Sequence, residues 1–323
     1  MRVHLLLPEG VDDPRRPSGG NVYDRRLVAE LTRLGWEVVE HPVTGDGLGE
    51  VLAALPDGEL ALVDGLVAST TPVLVAERGR LRTVVLLHMP GAGPHETEVL
   101  GAVDAVVTPS AWAAGQVPAR RAVVAVPGVD PGPPAAASAG SGRLLAVGPA
   151  TAAKGYDVLL AALDRLGDLD WECRWVGPVD AGAPRHGRVT LTGPLTPAEL
   201  DGVRSATDLV VAPSRRESYG MAVAEGLARG IPVVASDVGG HQEAVGDAGL
   251  LVPTGDAVAL ADALRRWLTD PGLRARLRER AARRARELPG WDRPAATVAA
   301  LLADVNRAAG DAVSPGSRQR AGG

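Results

Sequence analysis

Short apolar runs alternate with amphipathic stretches along most of the chain. The runs consist mainly of Val, Leu and Ala, and turn-forming residues bound many of them. Uninterrupted apolar runs of this length are typical of strands that are buried on both faces of a parallel sheet. Between several runs, as in 23–34, apolar residues recur at helical spacing. The pattern therefore predicts an α/β protein made of βαβ units.

The predicted strands form two groups. The first comprises 3–7, 37–40, 60–64, 83–88, 105–108 and 122–126, and the second comprises 144–147, 171–176, 189–192, 209–212 and 232–235. A stretch rich in Pro, Gly, Ala and Ser at 131–142 has the composition of a linker. Because 323 residues exceed what one core supports comfortably, we expect two Rossmann-like domains, 1–130 and 143–290, facing a cleft. Residues 314–323 are predicted to be a disordered tail.

Composition narrows the classes of function. The chain is 46% hydrophobic, which is enough for two cores, and its net charge of −5 argues against nucleic-acid binding as the main activity. The single cysteine, Cys173, excludes an internal disulfide and a cysteine-based metal cluster. The other carboxylates and histidines also lack metal-ligand spacing, so no bound metal is expected. Residues 168–170 have the D-x-D pattern, but they precede a strand and are interpreted as a turn.

The sequence contains no pattern of an export signal or a membrane span. The apolar run at 5–7 is far shorter than the roughly 18 residues that a span requires. The arginine-rich segment 274–286 could contact an anionic membrane surface, but apolar residues recur in it every four positions. A solvated amphipathic helix is the favoured interpretation of this segment. We therefore expect a cytoplasmic protein.

Two glutamates flank a turn of small residues before a predicted helix. Glu217 and Glu225 are eight residues apart, Ser218-Tyr219-Gly220 lies between them, and the helical pattern begins at Met221. Free backbone N–H groups and the dipole at a helix N-terminus favour an anion, so this turn is a candidate phosphate site. Packing alone would favour an apolar residue at position 225, so its carboxylate indicates binding. An ordinary solvent-facing helix is the alternative.

Lys154 is the only lysine in a chain that has 34 basic residues in total. It follows the predicted strand 144–147 and precedes the predicted helix 156–166. A doubly wound sheet binds its ligands at such a position. Because lysine offers a compact point charge where arginine offers a planar fork, its use here indicates a crowded phosphate.

The first domain contributes two weaker signals. Gly19-Gly20-Asn21 forms a predicted loop ahead of the first helix, where paired glycines let the backbone approach a ligand closely. His88 ends the predicted strand 83–88, and a glycine-rich loop follows it. A plain glycine turn and a structural histidine are the alternatives.

The second domain resembles family 4 of the retaining GT-B glycosyltransferases. Glu217 and Glu225 match the family's E-x7-E signature, and Lys154-Gly155 matches the end of its V-G-R-L-x-x-x-K-G motif. The resemblance implies that Glu217 contacts the transferred sugar, that the 218–221 turn binds the diphosphate and that Glu225 binds the ribose. It also implies that Lys154 binds the diphosphate. Pro149 departs from the motif, because the family usually has arginine there.

The resemblance also implies roles for the first domain. Gly19 and Gly20 would face the diphosphate from across the cleft, His88 would lie next to the reacting sugar, and a helix at 291–309 would cross back onto the first domain. The implied activity is metal-independent transfer of a sugar from a UDP-, GDP- or ADP-linked donor to a small-molecule or glycan acceptor, without a cofactor. Two alternatives stay open: a catalytically silent nucleotide-sugar binding protein, and a GT-B relative such as a nucleotide-sugar epimerase.

Overall fold

A computed structural model describes residues 1–312 of the chain except 15, 16, 45, 92, 137 and 139, and the side chains of 309–312 are not described. The predicted tail, 314–323, therefore lies outside the described residues, as do two positions of the predicted linker.

The first sheet contains six parallel strands. They are β1 Arg2–Pro8, β2 Glu37–Val43, β3 Leu60–Asp64, β4 Arg82–Leu86, β5 Ala105–Thr108 and β6 Ala122–Val124. Their order in the sheet is β2-β1-β3-β4-β5-β6. The helices of this part are α1 Gly19–Arg33, α2 Leu48–Ala54, α3 Gly65–Ala68, α4 Val73–Ala76, α5 Glu96–Ala102 and α6 Ala111–Ala114.

The second sheet also contains six parallel strands. They are β7 Arg143–Val147, β8 Glu172–Val176, β9 Val189–Gly193, β10 Leu209–Ala212, β11 Val233–Ser236 and β12 Gly249–Val252, in the order β12-β11-β10-β7-β8-β9. Its helices are α7 Tyr156–Leu163, α8 Pro197–Ser205, α9 Met221–Leu227, α10 His241–Val245, α11 Ala257–Thr269 and α12 Pro271–Glu287, and α13 Asp292–Ala312 ends the described chain. The prediction of an α/β protein with two parallel sheets is confirmed.

Each face of the first sheet supports its own core. Leu5 and Leu7 of β1 pack into the cluster that includes α1 and α13, whereas Leu6 between them packs into the cluster of α2 to α5. Successive side chains of a strand point to opposite faces, so a strand that is covered on both sides needs apolar residues at every position. This requirement explains why the buried strands could be predicted from the sequence.

The last helix lies on the first domain. The ring of Trp291, just before α13, is 5.5 Å from the ring of Tyr23 on α1, and Val298 and Leu302 of α13 are fully buried in the first domain's core. The chain thus returns to the first domain after it has built the second. Among the described residues, no helix is both long enough and apolar enough to cross a membrane.

Two local predictions differ from the structure. Gly19-Gly20-Asn21 is the first turn of α1 and not a loop ahead of it, because the Ser18 hydroxyl caps the helix by accepting the N–H of Asn21 at 3.0 Å. The predicted strand 83–88 ends at Leu86, so His88 lies in the loop two residues beyond β4.

Candidate functional site

The candidate site lies between the carboxyl ends of the two sheets. In a parallel α/β sheet these ends carry the loops that bind ligands. The first turn of α1 meets the start of α9 there, because a Cβ built on Gly19 would lie 3.1 Å from Sδ of Met221. The structure therefore brings the paired glycines of the first domain to the turn that separates the two predicted glutamates.

An ion pair occupies the centre of this region on the side of the second domain. Lys154 Nζ donates to Oε2 of Glu217 at 2.7 Å, and the two side chains are 31% and 15% exposed. The Lys154 side chain lies along Gly148, where a Cβ would be 3.4 Å from Cγ of the lysine. The two residues come from loops 63 positions apart, after β7 and after β10. The sequence predicted both residues as part of the site but not the bond between them.

Two glycines hold the backbone of the turn that follows Glu217. A Cβ on Gly239 would lie 1.6 Å from the Glu217 carbonyl oxygen, and one on Gly240 would lie 2.2 Å from that of Ser218. The Gly240 N–H also donates to the Glu217 carbonyl at 3.3 Å. No side chain fits at either position, so the loop after β11 supports the turn by direct backbone contact. The side chain of Tyr219 is buried, which leaves only its backbone for a ligand.

His241 lies beneath the ion pair and was not predicted. Its Nδ1–H donates to the Ser236 carbonyl at 2.9 Å, and its Nε2 is 4.0 Å from Oε2 of Glu217. Burial lowers the pKa of His241, although the charge of Glu217 acts in the opposite direction. A neutral ring that donates through Nδ1 presents the lone pair of Nε2. The only sequence signal was its position after Gly239-Gly240.

Glu225 is held by an arginine of α8. Its carboxylate accepts from Nη2 of Arg204, and burial raises the pKa of Glu225 while the charges of Arg204 and Arg229 oppose that shift. Glu225 is one helical turn after Met221 on α9, so both residues share one helix face. The side chain of Glu225 keeps 27% of its surface exposed.

Arg215 does not replace the arginine that the family usually has at position 149, because its guanidinium is already paired. Arg215 lies in the loop after β10, and its backbone N–H donates to the carbonyl of Ala153, in the loop of Lys154, at 2.8 Å. Its guanidinium donates from both terminal nitrogens to the carboxylate of Asp157 at 2.7 Å. Arg215 therefore offers no free guanidinium that could compensate for the arginine missing at position 149.

His88 belongs to a buried acidic cluster on the side of the first domain. Its Nε2 is 2.7 Å from Oδ1 of Asp24 and 3.4 Å from Oδ2 of Asp64, and the two aspartates are 1% and 2% exposed. A Cβ on Gly20 would lie 3.0 Å from Cδ2 of the ring. Burial lowers the pKa of His88, but the two carboxylates outweigh it, so the net shift is upward. Burial also raises the pKa of Asp64 to about 6.

The sequence did not indicate Asp24 or Asp64. Together with His88 they form the one group among the described residues whose possible metal-binding atoms lie within 4.8 Å of one another. The separation of 2.7 Å between His88 and Asp24 is that of a proton-bridged pair. Two ligands of one tetrahedral zinc ion would lie about 3.3 Å apart. The arrangement therefore fits a shared proton better than a metal ion.

Direct hydrogen bonds join the two domains beside the site. The Ser110 hydroxyl donates to the Ser218 carbonyl at 2.6 Å. The N–H groups of Ala111 and Trp112, at the start of α6, donate to the two carboxylate oxygens of Glu243 at 2.9 and 2.7 Å. The turn after Glu217 is thus bonded to the first domain as well as to its own.

The second domain is similar in sequence to known glycosyltransferases. Residues 141–270, which contain Lys154, Glu217 and Glu225, match the family described as glycosyl transferases group 1. D-inositol 3-phosphate glycosyltransferase from Salinispora tropica is 45% identical over 117 residues, which are 36% of this chain and 23% of the relative. The enzyme of the same name from an Arthrobacter species is 32% identical over 259 residues, which are 74% of this chain and 56% of the relative. The chain thus spans about half the length of these relatives, or less.

Solved structures share the whole architecture. Sucrose-phosphate synthase from Thermosynechococcus elongatus superposes with a TM-score of 0.78 at 22% identity, over 95% of this chain and 100% of that one. HepE from Anabaena, solved in complex with UDP-glucose, has a TM-score of 0.73 at 17% identity, over 94% of this chain and 100% of that one. At these identities the likeness shows the fold. The chain has the GT-B arrangement of two Rossmann-like domains, as predicted, and the match over residues 141–270 supports a group 1 glycosyltransferase.

Proposed function

We propose that the protein is a retaining glycosyltransferase that transfers a sugar from a nucleotide diphosphate sugar to an acceptor hydroxyl, without a protein-held metal. The observation that carries the proposal is the pair of Lys154 and Glu217 in the cleft, next to the glycine-supported turn before α9. Both residues lie in the segment that matches the group 1 family. Their positions also correspond to those of the family 4 motifs, which remains a resemblance.

The proposed chemistry depends on stabilising the leaving group. The donor diphosphate would take Lys154 as its counter-ion, and backbone N–H groups of the 218–221 turn would donate to its oxygens. Preorganised donors of this kind stabilise the charge that develops as the bond from the anomeric carbon to the phosphate oxygen breaks. These groups supply the positive charge that a divalent cation would otherwise provide.

Retention would follow from attack on the same face of the sugar. The acceptor oxygen forms its bond to the anomeric carbon as the phosphate leaves, and a phosphate oxygen takes the proton of the acceptor hydroxyl. Glu217, released from Lys154 by the diphosphate, would accept hydrogen bonds from hydroxyls of the transferred sugar. Proton NMR of the first-formed product reports its anomeric configuration directly.

Names of relatives suggest the first substrates to test. HepE was solved with UDP-glucose, and several sequence relatives are named D-inositol 3-phosphate glycosyltransferases. We therefore place UDP-glucose first among the donors and D-inositol 3-phosphate first among the acceptors.

Removing the carboxylate of Glu225 should weaken nucleotide binding. We expect Glu225→Ala to bind the nucleoside diphosphate roughly 10- to 100-fold more weakly, which is about 1.4–2.8 kcal/mol, because ribose hydroxyls would lose their acceptor. Isothermal titration calorimetry of the parent with UDP, GDP, ADP and TDP, with and without Mg²⁺, measures the effect and identifies the base. Glu225→Gln removes the negative charge but keeps the size of the side chain, so it tests the charge alone.

Glu172→Ala is the matched control, because Glu172 is an exposed glutamate of β8 whose pairing with Arg143 is long at 3.8 Å. It should bind like the parent. Absence of binding by every nucleotide, or equal affinity of Glu225→Ala and the parent, would remove the basis of the proposal.

A catalytically silent nucleotide-sugar binding protein is the second candidate. Pro149 favours it, because this residue removes the phosphate contact that the family arginine makes. Turnover separates the two candidates: a protein that binds the nucleotide sugar but neither hydrolyses nor transfers it is the silent one.

A further inference from the structure

Two buried carboxylates surround one nitrogen of His88 at the cleft face of the first domain. We propose that Asp24 and Asp64 are positioning residues that keep His88 a doubly protonated imidazolium, with its Nδ1–H directed to an oxygen of the donor sugar or diphosphate. The role of His88 toward the donor rests on the proposed function, whereas its charge and orientation do not.

Geometry fixes which nitrogen is available. Nε2 donates to Oδ1 of Asp24 at 2.7 Å, and 16% of the His88 side chain remains exposed. Nδ1 has no hydrogen bond to any of the described residues, so it is the nitrogen that a ligand can reach. The ring packs on Gly20, and Gly19 beside it packs on Met221 at the start of α9. Nδ1 therefore belongs to the part of the cleft where the 218–221 turn approaches the first domain.

Charge balance indicates that the ring is protonated. Asp24 and Asp64 are almost fully buried, and Oδ2 of Asp24 has no hydrogen-bond partner among the described residues. A carboxylate that is removed from water needs a nearby positive charge or a proton. His88 is the cationic group that contacts both aspartates, at 2.7 and 3.4 Å.

The remaining groups around the ring do not change this balance. Tyr23 of α1 lies with its ring centroid 5.3 Å from that of His88, and its hydroxyl donates to the Ala125 carbonyl at 2.9 Å. Burial raises the pKa of that hydroxyl, which keeps it neutral. Met221 of α9, which lies against the neighbouring Gly19, does not ionise. The upward shift in the pKa of His88 agrees with this arrangement.

Asp24 and Asp64 have separate tasks in this arrangement. Asp24 makes the hydrogen bond that fixes the plane of the ring, and Asp64 at 3.4 Å adds negative charge without a second short bond. Asp64 is itself anchored, because its Oδ1 accepts the N–H of Leu66 at 2.7 Å as the cap of α3. The imidazolium keeps both of its protons throughout, so its contribution is a charged hydrogen bond.

The first experiment needs no substrate. Nitrogen-15 NMR of the histidine side chains, with the His88 signals assigned by their loss in His88→Gln, follows the protonation of the ring across pH 5 to 9. We expect His88 to be doubly protonated at pH 7 in the parent. In Asp24→Asn its apparent pKa should fall by about one unit or more, because an opposite charge in contact is removed. Asp24→Glu should recover part of the shift.

Matched variants separate a specific effect from general damage. Asp12→Asn removes an exposed carboxylate that pairs with Arg25, the residue after Asp24 on α1. This variant should leave the His88 titration unchanged. If Asp24→Asn does not fold, Asp64→Asn provides the same test with a smaller shift. A neutral ring at pH 7 in the parent, or an unchanged titration in both variants, would overturn the proposal. So would movement of the His88 signals on addition of EDTA, which would assign the cluster to a metal ion.

The second experiment measures activity against pH. Because the charged ring is lost as the pH rises through the pKa of His88, the alkaline limb of kcat/KM should move to lower pH in Asp24→Asn by the same amount as the NMR titration. The variant should approach the parent near pH 6. If the parent turns over the donor but the alkaline limb of kcat/KM does not move in Asp24→Asn, this proposal is overturned. If the parent neither binds nor turns over the donor, the proposed function is overturned and the NMR result still stands.

Discussion

Lys154→Ala should lose about 100- to 1,000-fold in kcat/KM for the donor, the effect seen when one preorganised donor to a developing anion is removed. The chain has no second lysine to replace it. The neighbouring Arg215 is committed to Asp157, so its guanidinium is not free to move into the gap. Loss of Lys154 also leaves Glu217, which is 15% exposed, without its partner at 2.7 Å. Steady-state kinetics of donor hydrolysis and transfer measure the effect.

Two further variants show whether the loss in Lys154→Ala is specific to this side chain. Lys154→Arg keeps the charge, but a planar guanidinium does not reproduce the compact ammonium that donates to Glu217 at 2.7 Å, so we expect it to recover little of the activity. Arg265→Ala removes an exposed cation of α11 in the same domain, which pairs with Asp168 at 2.6 Å, and the variant should stay within about twofold of the parent. Full activity in Lys154→Ala would show that the diphosphate binds elsewhere.

Gly155→Ala should strongly destabilise the protein. Gly155 has φ of 72°, and a Cβ there would lie 1.9 Å from the Pro213 carbonyl oxygen. The left-handed conformation costs a residue with a side chain roughly 1–2 kcal/mol, and the backbone of the loop after β10 must also move. We expect a loss of about 3 kcal/mol or more, which corresponds to a fall in Tm of roughly 6–12 °C.

Differential scanning calorimetry of the parent and of Gly155→Ala tests this expectation. Gly202→Ala is the matched control, because Gly202 lies inside α8 and a Cβ there meets nothing within 4 Å. Alanine at that position should raise stability by about 0.5–1 kcal/mol. A Gly155→Ala protein that melts with the parent would mean that the loops of Lys154 and Pro213 are farther apart than in this structure.

The sequence predicted the architecture because two buried parallel sheets need apolar strands. Predicted strands 105–108 and 209–212 coincide with β5 and β10, whose residues are all apolar except Thr108. Strand β12, Gly249–Val252, was not predicted, since it begins with glycine and lies at the edge of its sheet. The short helices α3 and α4 have four residues each, which is too few for a periodic signal.

The site was predictable only where its residues are neighbours in sequence or unusual in type. Glu217 and Glu225 share one motif, and Lys154 is unique in the chain. The bond between Asp24 and His88 joins positions 64 residues apart, and it depends on α1 and β4 converging at one end of the sheet. The partner of Glu225, Arg204, comes from another helix. Partners of this kind follow from topology and packing, which local patterns do not contain.

The bonds from α6 to Ser218 and Glu243 also bear on how two substrates communicate. The cleft cannot widen beside the 218–221 turn without breaking the hydrogen bond of Ser110 and the two that Glu243 accepts. The spacing of the domains and the shape of the 218–221 turn are therefore coupled. A donor that reshapes this turn alters the affinity of the first domain for its own ligand, and linkage requires that ligand to change donor affinity by the same factor. Cooperativity between the donor and the ligand of the first domain would be measurable as that shared factor.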